Sequence, residues 1–75
     1  MAVDYDRVIT DYTRTIERNP RNAEAYYYRG NAYCYVGDYE RAIADLRRYL
    51  ELRPNAPNRK AVEERVSQLE AQKPL

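Results

Sequence analysis

Cys34 is the side chain best suited to covalent chemistry, and its neighbours offer none of the usual help. A cysteine nucleophile needs a base or a cation to hold its thiolate. The 75 residues contain no histidine, and no motif sets a lysine or arginine beside Cys34. The expected role is a small residue, either buried or lining a surface. One cysteine with scattered carboxylates makes no metal-ligand set, and a Ser-His-Asp arrangement is impossible. The sequence has no glycine-rich phosphate loop. Neither an enzyme nor a cofactor is expected.

Binding chemistry remains. Six of the nine tyrosines fall between Ala23 and Leu46, together with both glycines and Cys34. Glu24, Tyr27, Asn31 and Cys34 recur at steps of 3, 4 and 3, which puts them on one face of a helix. Asn31 offers a peptide backbone both a donor and an acceptor. Tyr27 and Tyr35 supply rigid amphipathic area of the kind that anchors interfaces. The plainer alternative is that these residues touch neighbouring helices or face water. Arg47, Arg48, Arg53, Arg59 and Lys60, with tyrosines as stacking platforms, form the pattern of a weak single-stranded nucleic-acid binder. The balance opposes that reading. Thirteen basic and 12 acidic residues leave +1, and Glu51, Glu63 and Glu64 interrupt the cluster. No nucleic-acid partner is expected.

These residues need elements to hold them. A chain of 75 residues makes one small domain, which buries only about 60–65% of its unfolded surface. A lone cysteine excludes an internal disulfide, so stability must come from regular helix packing or self-association. No apolar run approaches the roughly 18 residues of a membrane span, so no membrane insertion is expected. The N-terminus lacks a basic start followed by an apolar block. The cytoplasm is the default compartment, but a fragment of a larger secreted or membrane protein would look the same.

Four helical patterns and no period-two segment appear. Tyr5, Val8, Ile9, Tyr12 and Ile16 share one face of a helix over about Asp4–Arg18, with Asp4 as its cap. A second runs over Ala23–Val36, capped by Asn22 and ended by Gly37. A third runs over Tyr39–Arg53, capped by Asp38 and stopped by Pro54. The fourth runs over Asn58–Gln72, with Ala61, Val62, Val66 and Leu69 on its apolar face.

The chain also repeats itself. Shifted by 34 residues, Asp4, Tyr5, Arg7, Ile9, Asp11, Arg14, Glu17 and Pro20 fall on Asp38, Tyr39, Arg41, Ile43, Asp45, Arg48, Glu51 and Pro54. The first and third helices are copies of one element. A 34-residue period of paired helices resembles the tetratricopeptide repeat. Tyr26, Gly30 and Tyr33 match the aromatic, glycine and tyrosine of that family's first helix. Ala42, Leu46 and Pro54 match its second. Residues 23–56 resemble one full repeat, and residues 3–22 the second half of another.

The resemblance implies an all-α fold of antiparallel helix pairs stacked as a short solenoid. It implies a protein-interaction module that takes an extended peptide or a partner helix. The groove-facing positions carried over are Glu24, Tyr27, Asn31, Cys34 and Tyr35. Tyr5, Tyr12, Tyr26, Tyr33 and Tyr39 fall at packing positions. The basic residues of the family's carboxylate clamp are absent, with Tyr27 and Tyr28 in their place. Arg29 and Tyr49 depart from the pattern, since both are larger than the usual residues. Arg29 is expected to lay its stem along the interface and bring its head to water or a carboxylate.

The fourth helix does not continue the repeat. Lys60, Glu64 and Ser67 stand where the aromatic, glycine and tyrosine should be. Residues 57–75 are expected to form a capping helix, with Arg59, Lys60, Glu63, Glu64 and Arg65 facing water. One and a half repeats with a cap fall short of the about three that usually bury a continuous core. A homodimer is therefore expected, through stacking or exchange of N-terminal helices; the alternative is a fragment that stays monomeric through its regular packing. The alternative function is a structural scaffold with no peptide ligand.

Overall fold

The computed structural model describes residues 2–72; Met1 and the last three residues expected in the fourth helix lie outside that range. Four α-helices follow one another: α1 Tyr5–Arg18, α2 Ala23–Val36, α3 Tyr39–Leu52 and α4 Arg59–Gln72. Three begin at the expected caps. The side chains of Asp4, Asn22 and Asp38 accept from the backbone N–H groups of Arg7, Ala25 and Arg41. Gly37 ends α2 at φ +83°, a left-handed conformation that glycine adopts without strain.

Each helix packs antiparallel on the next, so α2 lies between α1 and α3, and α4 covers another side of α3. The fold is all-α, with adjacent helix pairs packed in the tetratricopeptide manner. The core belongs mainly to α3, where Ala42, Ile43, Leu46 and Tyr49 are buried against Ala23, Val62, Val66 and Leu69. Gly30 lets α2 come close to α3. A Cβ there would stand 3.1 Å from Asp45 Cβ and 3.2 Å from Leu46 Cδ2.

The tyrosines divide differently from expectation. Tyr26, Tyr33 and Tyr39 are half-buried against the core. Tyr5 and Tyr12 instead stack on Tyr35 and Tyr28, with ring centroids 4.7 and 5.5 Å apart. The buried tyrosine among the described residues is Tyr49, whose hydroxyl donates to Asn58 Oδ1 at 2.8 Å. The reason is topological: α3 has neighbours on two sides, whereas α1 packs on α2 alone and buries no residue. Ala61, expected on the apolar face of α4, is exposed; Val62, Val66 and Leu69 make that face.

Arg29 behaves as its length requires. Its Nε and Nη2 donate to Asp45 Oδ2 and Oδ1, each at 2.8 Å, and Nη1 donates to Thr13 Oγ1 at 3.2 Å. The guanidinium also lies 5.8 Å from the rings of Tyr26 and Tyr33. One side chain thus ties α1, α2 and α3 together. The carboxylate beside it raises the guanidinium pKa further, against the opposing effect of burial.

Candidate functional site

The α2 face that carries Tyr27, Asn31 and Cys34 looks across a cleft at α4. A cavity of about 100 Å³ opens there. Tyr27 and Asn31 line it from α2, Leu46 from α3, Asn58 from the α3–α4 turn, and Ala61, Val62 and Arg65 from α4. Tyr27 is held by its neighbours: its ring meets Tyr28 edge-on at 5.5 Å and Tyr49 at 4.9 Å. Through Tyr49 and Asn58, the turn is tied to the same cluster. The cavity therefore has a rigid aromatic side and a polar side made by Asn31, Asn58 and Arg65.

A second depression continues toward the C-terminal end of α2. Cys34 and Tyr35 line it with Tyr39, Leu69 and Gln68, and Arg65 lines both. Burial pushes the Cys34 thiol up, and the Arg65 guanidinium beside it only partly opposes this. Burial thus disfavours the thiolate form of Cys34. Tyr35 is 70% exposed and leans to the α1 side through its stack on Tyr5.

Glu24 stands outside both depressions. It sits in the first turn of α2 and pairs with Arg53, just beyond α3. Its carboxyl is held below its ordinary value of 4.5, first by its own backbone N–H and then by Arg53. A depressed value in the folded state means the contribution to stability is complete above the unfolded value and is lost as pH falls through the folded one. The Tm difference between wild type and Glu24→Gln is expected to shrink as pH drops below 4.5. A difference that stays constant from pH 7 to pH 3 would contradict this.

The contributions of Asn58, Ala61 and Arg65 escape a reading of the sequence, which sets Arg65 toward water. Their signal is weak but present. Shifted by 34, Asn58 and Arg65 occupy the positions of Glu24 and Asn31. The cleft thus sets equivalent positions of two successive first-type helices against each other. Packing repeats in the same way. Tyr12 meets Tyr28 of α2, and Leu46, its counterpart, is buried with Val62 of α4.

Residues 2–67 match the family model described as tetratricopeptide repeat. The chain belongs to that family. The match runs through most of α4, beyond the last signature residue, Pro54. That α4 lacks the signature residues follows from its packing. In α2, Gly30 stands at closest approach to α3, with half-buried Tyr26 and Tyr33 packed against the core. Lys60, Glu64 and Ser67 hold those positions in α4 and are exposed, so the packing that selects them is absent there. Two curated relatives are named Protein SGT1 homolog. The one from Oryza sativa subsp. japonica is 36% identical over 52 residues, 69% of this chain and 14% of the relative. The one from Bos taurus is 36% identical over 55 residues, 71% of this chain and 16% of the relative. The chain therefore spans about one seventh of the length of these relatives.

Family membership indicates a protein-interaction module with protein partners. Among the described residues, no helix is long and apolar enough to cross a membrane. No three His, Cys, Asp or Glu side chains among them come together in a way that could hold a metal.

Proposed function

We propose that the chain is a non-enzymatic module that binds an extended peptide or a partner helix in the α2/α4 cleft. The observation that carries this is the cavity in which Tyr27 and Asn31 face Asn58 and Arg65. Asn31 pairs with a peptide amide, Tyr27 gives a rigid apolar wall, and Arg65 favours an acidic or carbonyl group nearby. Cys34 and Tyr35 extend the surface, and Glu24 borders it. The α4 helix serves as the cap of the solenoid while supplying one wall of the cleft. Nucleic acid is a poor fit, because Arg47, Arg48, Arg53 and Arg59 are paired with Glu70, Glu51, Glu24 and Glu63.

An array of extended peptides, probed with wild type and Asn31→Ala, tests the reading. Capture is expected to fall at least tenfold in the variant, with an unchanged urea midpoint. Equal capture of the same peptides by both would overturn it.

Self-association through α1 is a second reading. It is favoured by the apolar Val8, Ile9, Tyr12 and Ile16, none of which is buried. A twofold contact between α1 helices would cover them, and sedimentation equilibrium would then show a mass near twice 8.9 kDa.

A further inference from the structure

The two copies within the chain show what α1 lacks. Asp45 of α3 is buried and takes a bidentate arginine, Arg29, from α2. Its copy 34 residues earlier, Asp11, is exposed and forms no ion pair among the described residues. The α1/α2 contact reproduces the α3/α4 contact. Thr13 meets Arg29 of α2, and their copies Arg47 and Glu63 line one depression between α3 and α4. Tyr5 stacks on Tyr35 of α2, and its copy Tyr39 lines a depression with Leu69 of α4. Asp11 therefore lies on the side of α1 that corresponds to the α2-covered side of α3, and that side is open.

We propose that this open side of α1 takes an amphipathic helix from a protein partner, presenting an arginine followed by a small residue, with the arginine closing on Asp11. Charge complementarity sets the arginine, because Asp11 repeats the only position in α3 that buries a carboxylate. Close approach sets the small residue, because even a Cβ at Gly30 would stand 3.1 Å from Asp45 Cβ and 3.2 Å from Leu46 Cδ2. The surface is distinct from the α2/α4 cleft. A second copy stacked head to tail does not meet these demands. Glu63 and Glu64 hold the places in α4 that Arg29 and Gly30 hold in α2. Such a copy would bring Glu63 against Asp11 and a glutamate side chain into the point of closest approach.

The probe is a fluorescein-labelled peptide with the sequence of residues 22–38, added to the intact chain and followed by anisotropy. Saturable 1:1 binding is expected. Asp11→Asn, and separately Arg29→Leu within the peptide, are each expected to weaken it at least tenfold, with little further loss when combined. Glu17→Gln, an exposed charge on α1, and Asn31→Ala are expected to leave it unchanged. Absence of saturable binding would overturn the proposal. So would binding indifferent to Asp11→Asn, which would mean that the peptide had displaced α2. Loss with Asn31→Ala would place the peptide in the cleft instead. A chain already dimeric at the working concentration, from which the peptide releases monomer, would make a second copy the occupant.

Discussion

Replacing Asp45 with alanine is expected to cost about 3 kcal/mol of stability, the lower end of the range for breaking a buried ion pair. The Asp45 side chain is 7% exposed and that of Arg29 is 18% exposed. Removing the carboxylate leaves a guanidinium that keeps Thr13 and two tyrosine rings but loses both of its strong acceptors. The residual exposure of Arg29 lets water answer part of the loss, which is why the lower end applies. Domains of this size are stable by about 4–11 kcal/mol. At a urea slope of about 1 kcal/mol/M, the midpoint should fall by about 3 M. Asp11→Ala supplies the control. It alters the same residue in the copied helix, but on a carboxylate already in water, and should stay within about 0.5 kcal/mol of wild type. A comparable loss in both variants would show that helix propensity, and not the ion pair, governs the position.

The pair need not be a net source of stability. Desolvating two charges offsets most of their attraction, and well-packed apolar replacements are often neutral or better. The double variant Arg29→Met with Asp45→Leu should therefore recover most of what Asp45→Ala loses. Circular dichroism at 222 nm during urea titration reads all three variants. A double variant as unstable as the single one would mean that the ion pair itself holds the three helices in register.

The same comparison of copies shows how far the fold was legible. Caps and stops act within a few residues of the backbone they serve, so Asp4, Asn22, Asp38 and Gly37 could be placed from sequence alone. The pairing of helices followed from the 34-residue shift. Burial did not, because identical local sequence meets different neighbours. Asp45 is buried by α2, whereas Asp11 is exposed, and Tyr5 and Tyr12 lose core status, because no described helix covers the second side of α1. The cleft was half legible. Tyr27 and Asn31 announce themselves by spacing along α2, but their counterparts across the gap come from a helix stripped of signature residues. Ala61 and Val62 adjoin on α4 and are both small and apolar, so only packing against α3 decides that Val62 turns inward.

Leu46→Ala is the other large expected effect, with a loss of about 3–4 kcal/mol within the range of about 2–5 kcal/mol for such truncations. Leu46 is the largest fully buried side chain and is 1% exposed. Truncation costs most where neighbours cannot move into the space, and Gly30, which lies against Leu46, has no side chain to offer. Leu46 also borders the α2/α4 cavity, so its removal enlarges that cavity and frees Tyr27 to move. Stability and any peptide binding in the cleft should therefore fall together, unlike Asn31→Ala, which should change binding alone. The counterpart in the first copy is Tyr12, half-buried and stacked on Tyr28. Tyr12→Ala removes a larger side chain but should cost less, about 1–2 kcal/mol, because water already reaches one side of it. Thermal unfolding of the two variants decides the matter. If Tyr12→Ala proves the more damaging, then α1 is covered in solution, by a second copy or by another partner, and the open face is already in use.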